Sequence, residues 1–343
     1  MPLVSVIIPT YGHAELILQT LDSVFTQTYQ DYEVIVVNDG SPDNTAQILA
    51  PLISAGRIQY FEQSNQGVAA ARNFGIANSK GKYIALLDDD DLWPPGKLEW
   101  QVADIESCDA VLVGGTAGAI GADGSLKAPT ECLEESKAYE FEDLFEGSPF
   151  LSPGQTLIDR HALELAGGFD SKIWGADDYD LWIGLSQHGQ LIRRNMLALY
   201  YRNHEGNASR DTIRMIRNIK RVFQKRLPED LGVKGVRCRS RAYQVLLTYL
   251  GKPLISEIRD GLMTWPPSFK IILKNIKVLT EIFGSQILAD QKLRYKIYGA
   301  FTRRVSRLLG LECGSADPLG KKFPRSHQQL KSRTWFKNLK TRK

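Results

Sequence analysis

The sequence is poor in several features that whole classes of protein need. Its four cysteines, Cys108, Cys132, Cys238 and Cys313, lie far apart and form no Cys-x-x-Cys pair. That argues against a disulfide framework and a zinc site, and points to a reducing, cytosolic setting. No apolar run reaches the about 18 residues a membrane-crossing helix needs, so none is expected. The start, Met1-Pro2-Leu3-Val4-Ser5, has neither the basic flank nor the long apolar stretch of a secretory signal. No internal repeat is visible. Basic residues are scarce in residues 1–200, where 11 Lys+Arg face 29 Asp+Glu, a net of −18. Acids are scarce in residues 201–343, where 32 Lys+Arg face 10 Asp+Glu, a net of +22. The overall charge of +4 conceals this split. The acidic part reads as the seat of chemistry, and the basic part as something that meets an anionic surface or ligand.

What is present is organised around Tyr83-Ile84-Ala85-Leu86-Leu87-Asp88-Asp89-Asp90-Asp91-Leu92-Trp93-Pro94-Pro95. A short unbroken apolar run suits a strand covered on both faces. The two prolines end it just beyond the acids. Ligands of open α/β sheets sit beyond the carboxyl ends of strands. Four carboxylates placed there repel one another unless a cation joins them. A hard divalent metal that in turn holds phosphate is the economical reading, against a solvated acidic turn as the plain alternative.

The rest alternates. Residues 3–11 read as a first strand stopped by Pro9, residues 14–28 as a helix and residues 32–37 as a second buried strand. A turn-rich stretch follows, with Ser41 or Asp43 as the cap of the next helix. Residues 57–61 read as a third strand, residues 67–75 as the opening of a helix, and residues 83–87 as the central strand. This βαβαβαβ order predicts an α/β fold with a mostly parallel, Rossmann-like sheet. After it come a helix over residues 96–107 and a strand over 110–113. Residues 114–150 read as loops with a short helix near 140–146. A strand at 156–158, short helices at 161–166 and 177–185, and a strand at 197–201 complete the acidic part. Beyond residue 210 the pattern is helical, over residues 212–226, 236–250, 254–263, 269–283 and 287–309. The last of these is basic and amphipathic, suited either to an anionic membrane surface or to packing on the protein. The tail from Lys321 holds nine Lys/Arg and no acid, and is expected to be disordered. The implied division is 1–210, 211–312 and 313–343.

Five motifs occur in order: Val6-Ile7-Ile8-Pro9-Thr10-Tyr11, Val37-Asn38-Asp39-Gly40-Ser41, Asn65-Gln66-Gly67-Val68-Ala69-Ala70-Ala71-Arg72-Asn73, Leu87-Asp88-Asp89-Asp90-Asp91, and Asp177-Asp178-Tyr179-Asp180-Leu181-Trp182. Together they resemble the family 2 glycosyltransferases over residues 1–210. The resemblance does not extend to the helical C-terminal part. It implies a GT-A fold with a mostly parallel central sheet, a nucleotide-diphosphate sugar donor, inversion at the anomeric carbon, and Mg²⁺ or Mn²⁺. It puts Pro9, Thr10 and Tyr11 beside the nucleotide base, with Glu15 suited to helix capping. Asp39 would accept from a uracil; an Asx turn is its competing reading. Arg72 would support the base and the acid cluster. Asp88 would hold the ribose or metal-bound waters, Asp89 would touch the nucleotide, and Asp90 would ligate the metal. Asp178, or its neighbour Asp177 where the family has Glu, would take the acceptor's proton, with helix capping as the alternative for both. Asp180 reads as structural and Trp182 as core. In Tyr201-Arg202-Asn203-His204 the resemblance brings the Arg and His toward the diphosphate or metal, so His204 is either a ligand or structural.

The expected partners are a nucleotide-sugar donor and a glycan or lipid-linked acceptor. The expected location is cytoplasmic, with peripheral contact at the inner face of the plasma membrane. The tail's few aromatics and the lack of a nucleic-acid module argue against nucleic acid. A sugar-nucleotide nucleotidyltransferase would want a Gly-rich loop and a basic residue after the first strand, where this chain has Pro9-Thr10-Tyr11-Gly12. A non-catalytic sugar-nucleotide-binding protein would have no use for both sets of carboxylates.

Overall fold

The computed structural model of the chain describes residues 1–127, 135–204 and 212–227, with Cys238, Arg241 and Ala242. The helices expected over 254–263, 269–283 and 287–309, almost all of that over 236–250, and the basic tail lie outside these residues. Met1–Leu246 forms one compact unit and Leu247–Lys343 another.

The first unit alternates as the apolar pattern requires. β1 (Val4–Thr10), α1 (Ile17–Phe25), β2 (Tyr32–Asn38), α2 (Thr45–Ser54), β3 (Gln59–Glu62), α3 (Val68–Ala77) and β4 (Tyr83–Leu86) come first. β1 and β4 are buried throughout, and β2 at its last five positions. Burying β-branched side chains on both faces is what a parallel strand covered by helices demands. α4 (Lys97–Ser107), β5 (Ala110–Ile120), β6 (Lys137–Tyr139), β7 (Thr156–Asp159), α5 (Arg160–Leu165), α6 (Asp177–Leu185), β8 (Gln190–Arg202) and α7 (Thr212–Arg226) follow.

One eight-stranded sheet runs in the order β3-β2-β1-β4-β7-β5-β8-β6. β3, β2, β1 and β4 are parallel, and β5 pairs parallel with β8. β7 is antiparallel to both β4 and β5, and β6 is antiparallel to β8. The mostly parallel α/β fold is thus as expected. Opposite Thr10 of β1 stands Asn38 of β2, and opposite Ile7 stands Leu86 of β4. The segments beginning at Tyr11, Asp39 and Leu87 therefore leave three adjacent strands at one edge of the sheet.

Two expectations need correction. Residues 114–120 are strand, not loop, and residues 137–139 form a further short strand. Glycine misled there. A Cβ at Gly114 would stand 2.3 Å from the Phe150 ring, and one at Gly115 2.3 Å from the Met196 carbonyl oxygen. These glycines admit close neighbours rather than turning the chain. The other correction concerns caps. Neither α1 nor α2 has a side-chain bond from its capping position, which Leu16 and Asn44 occupy, so Glu15 and Ser41 do not cap. Ser41 accepts from the Gly12 N–H at 3.1 Å. Asp43 accepts from the Thr45 N–H at 3.2 Å and the Ala14 N–H at 3.0 Å, so it ties the start of α2 to the loop before α1.

Candidate active site

At the end of β1, Pro9 and Thr10 are buried and Tyr11 is half exposed. The Thr10 hydroxyl is buried without a hydrogen-bond partner among the described residues. A ligand or a water is the usual partner for such an atom. Asp39, one strand away, is buried. Its Oδ1 accepts from the Gln66 N–H at 2.9 Å and Gln63 Nε2 at 2.7 Å, and its Oδ2 from the Gly67 N–H at 2.8 Å. Asp39 therefore fixes the approach to α3, where Gly67 takes φ +91, a conformation natural to glycine.

The four acids after β4 part into two pairs. Asp88 Oδ1 accepts from Arg72 Nη2 at 2.6 Å, and its Oδ2 meets the Ser152 hydroxyl at 3.5 Å. Asp90 Oδ2 stands 2.7 Å from His204 Nε2. Both side chains keep some exposure, 29% and 14%. Asp89 and Asp91 turn away. Asp89 accepts from the Tyr11 N–H at 3.1 Å and pairs with His13 Nδ1 at 2.8 Å. Asp91 is fully buried and accepts from the Arg202 N–H at 2.8 Å. Crowding shows in the proton affinities. Burial first, then the charges of Asp88 and Asp89, push the Asp90 carboxyl above its usual range. The hydrogen bond to Asp89 raises the His13 imidazole to about 9. The His13 and His204 rings meet edge to face, 5.6 Å apart.

Arg72 joins the two ends of the site. It is buried on α3, with Nη2 on Asp88 and Nη1 on Asp177 Oδ2 at 2.8 Å. Burial alone would lower its proton affinity, but the carboxylates of Asp88 and Asp177 raise it. Asp177 and Asp178 open α6, where carboxylates favour the helix dipole. Asp178 accepts from the Tyr179 N–H at 2.6 Å. Burial, and then the charge of Asp177, push its carboxyl up to about 7.

Other residues take structural places. Asn73 donates to the Phe169 carbonyl at 2.7 Å and accepts from its N–H at 2.9 Å, so it secures a loop rather than facing the acids. Asp180 is fully buried and paired with Arg226 at 2.7 and 2.9 Å and Lys225 at 2.7 Å. Trp182 is core, edge to face with Phe150 at 5.7 Å. Arg202 is buried, with Nε on the Asp90 carbonyl at 2.6 Å, Nη1 on the Ala122 carbonyl at 3.0 Å and Nη2 on Gln19 at 3.0 Å. These bonds engage its guanidinium with the backbone of the acid turn and with α1. The sequence reading missed His13, Ser152 and Thr20 beside the acids. Only His13 gave a signal, as an imidazole three residues after the strand end.

Among the described residues no three His, Cys, Asp or Glu side chains converge closely enough to hold a metal by themselves. Mg²⁺ seldom needs that, since one or two carboxylates and the substrate's phosphates suffice. Asp88 and Asp90, hard oxygen donors, with burial and then the charge of Asp88 raising the proton affinity of Asp90, fit such a cation. His204 beside Asp90 adds an imidazole donor.

The profile described as Glycosyl transferase family 2 matches residues 5–165. An uncharacterized glycosyltransferase of Rickettsia typhi is 31% identical over 243 residues, 68% of this chain and 76% of that protein. One of Rickettsia bellii is 35% identical over 188 residues, 55% of this chain and 27% of a much longer protein. The chain likewise spans 35% of a Rickettsia felis relative. Among solved structures, S. aureus TarS 1–349 in complex with UDP-GlcNAc superposes with a TM-score of 0.62 at 16% identity, over 81% of both chains. At that identity the likeness speaks for the fold, which is GT-A. The chain belongs to glycosyltransferase family 2.

Proposed function

We propose that the protein is a metal-dependent, inverting glycosyltransferase. It takes a sugar from a nucleotide-diphosphate donor, with UDP as the nucleotide, and passes it to a hydroxyl of a glycan or lipid-linked acceptor. The observation that carries this is the line Asp88–Arg72–Asp177 with Asp178 at its end. It supports donor-binding acids on one side and a base on the other, as a single displacement requires. UDP-GlcNAc in the similar fold of TarS supports the choice of nucleotide.

Asp39, Thr10 and Tyr11 at the ends of β2 and β1 receive the base. Asp88 receives the ribose, and Asp89 holds the Tyr11 backbone against the nucleotide. Asp90 and Asp88, with the His204 imidazole beside Asp90, would hold Mg²⁺ or Mn²⁺, which would offset the charge developing on the departing diphosphate. Arg72 holds Asp88 and Asp177 at a fixed separation. Asp178 accepts the proton of the acceptor hydroxyl as that oxygen bonds to the anomeric carbon. The bond from that carbon to the diphosphate oxygen breaks on the opposite face, and the nucleoside diphosphate leaves. With Asp177 engaged by Arg72, Asp178 is the member of the pair whose affinity for a proton suits a base near neutral pH.

The basic residues beyond 210 support work at the inner face of a membrane, where an anionic surface attracts them. No helix among the described residues is long and apolar enough to cross a membrane.

A thermal-shift screen of nucleotide sugars with and without Mn²⁺ tests the reading, because ligand binding raises apparent stability by mass action. A UDP-sugar should raise Tm further when Mn²⁺ is present, and Asp90→Asn should remove that difference. No response to any UDP-sugar would refute the donor assignment.

A further inference from the structure

Nothing in four successive aspartates says which of them should face the site. The segment is a turn past the end of β4, closed by the Asp91 N–H on the Asp88 carbonyl at 3.2 Å, yet Asp88 and Asp90 keep some exposure while Asp89 and Asp91 are buried. Something outside the turn must choose. Two buried side chains grip its backbone. The Thr20 hydroxyl, on α1, lies 3.0 Å from the Asp89 carbonyl and 2.9 Å from the Asp91 carbonyl, so its single proton is shared between them. Arg202 Nε, at the end of β8, donates to the Asp90 carbonyl between them at 2.6 Å. The Arg202 N–H also holds the Asp91 carboxylate. Just beyond, Leu92 and Tyr200 exchange backbone hydrogen bonds of 3.1 and 2.8 Å. Three consecutive carbonyls are thus captured by one side chain of α1 and one at the end of β8. Thr20 is 0% exposed and Arg202 1%.

We infer that Thr20 and Arg202 are positioning residues. By fixing the carbonyls of residues 89–91 they set the register of the acid turn, so that Asp88 and Asp90 serve the donor while Asp89 and Asp91 serve the scaffold. This rests on the proposed donor and metal site. It gives Arg202 a task the resemblance did not suggest, because its guanidinium is engaged with the Asp90 carbonyl, the Ala122 carbonyl and Gln19. Thr20 lies about seventy residues before the acids it holds. Groups that orient a metal's direct ligands cost roughly 10–100-fold in metal affinity or activity when changed.

The test uses the whole chain with Thr20→Val, which keeps the shape and loses the proton, and Thr20→Ser, which restores it. Calorimetry measures UDP affinity with and without Mn²⁺. Hydrogen exchange follows a peptide covering residues 87–93. Thr20→Val should weaken Mn²⁺-dependent UDP binding by about tenfold or more. It should leave metal-free UDP binding within twofold and speed exchange in that peptide, and Thr20→Ser should reverse both effects. Equal losses with and without Mn²⁺, or unchanged exchange, would overturn the positioning role. A wild-type protein that binds UDP without any Mn²⁺ dependence would refute the metal reading, and the exchange measurement would still decide the register. Should Thr20→Val not fold, Thr20→Ala carries the same expectations.

Discussion

Asp177 and Asp178 are chemically identical neighbours, and the protein treats them differently. Arg72 binds one, while burial and the charge of the first push the other to about 7. Two consequences follow for Asp178→Asn. Donor binding should persist while kcat falls by roughly 10²–10⁴-fold, the usual worth of a general base. Near-normal turnover would move the role to another group. The wild-type kcat/KM should rise with pH and level off above about 7, because Asp178 must lose its proton to act. Stability should move the opposite way. The folded carboxyl holds its proton more tightly than an unfolded aspartate, whose pKa is about 3.9, so the wild type loses stability as pH rises from about 4 through about 7. Asn does not titrate. The Tm of Asp178→Asn minus that of wild type should therefore be larger at pH 8 than at pH 4. Residue identity was legible here, since paired acids at a helix start are a visible pattern. Which acid is engaged was not, because Arg72 lies 105 positions away in the chain.

At the scale of elements, α4 and the segment just before it bury a polar row. Trp93 Nε1 donates to the Gly154 carbonyl at 2.9 Å, Lys97 Nζ to Thr156 at 3.2 Å and Gln101 Nε2 to Gln155 at 2.8 Å. Lys97 and Gln101, four apart on α4, share one helical face, and with Trp93 just before the helix they hold the turn that carries Ser152 to Asp88. Lys97 is fully buried, its ammonium 3.8 Å from the Trp93 ring centroid, and burial drives its pKa well down. An unfolded lysine, with a pKa of about 10.4, binds the proton the folded one refuses, so the lysine makes stability climb as pH rises toward that value. Lys97→Met should remove this climb. Urea titrations from pH 7 to pH 10 would show it as a shrinking wild-type disadvantage or a growing advantage, and parallel curves would count against it. The α6–α7 contact rests on Asp180 with Arg226 and Lys225. Gly184 makes room, since a Cβ there would meet Arg226 at 2.9 Å. Removing one partner of a buried ion pair costs about 3–5 kcal/mol, and with Lys225 remaining Arg226→Met should cost on the order of 2 kcal/mol. A urea midpoint equal to wild type would contradict this.

At the scale of the whole molecule the charge split dominates. With a net of +22 in residues 201–343, the protein should sediment with vesicles containing anionic lipid and not with neutral ones. Salt should weaken the association, as screening requires. Equal binding to both vesicle types would remove the electrostatic basis for membrane contact.

The sequence by itself determined the parallel half of the sheet and the acids at its edge. Strands β1, β2 and β4 are continuous apolar runs, the helices between them keep a 3.6-residue period, and proline and aspartate mark where the strands stop. Those signals are local, so a single chain displays them. Tertiary structure alone decided that Gly114 and Gly115 sit inside a strand, that β7 enters the sheet antiparallel, that Arg72 spans Asp88 and Asp177, and that Thr20 and Arg202 sort four like aspartates into two roles. Each of these depends on partners tens of positions away, and the chain carries no local mark of a contact that only folding creates.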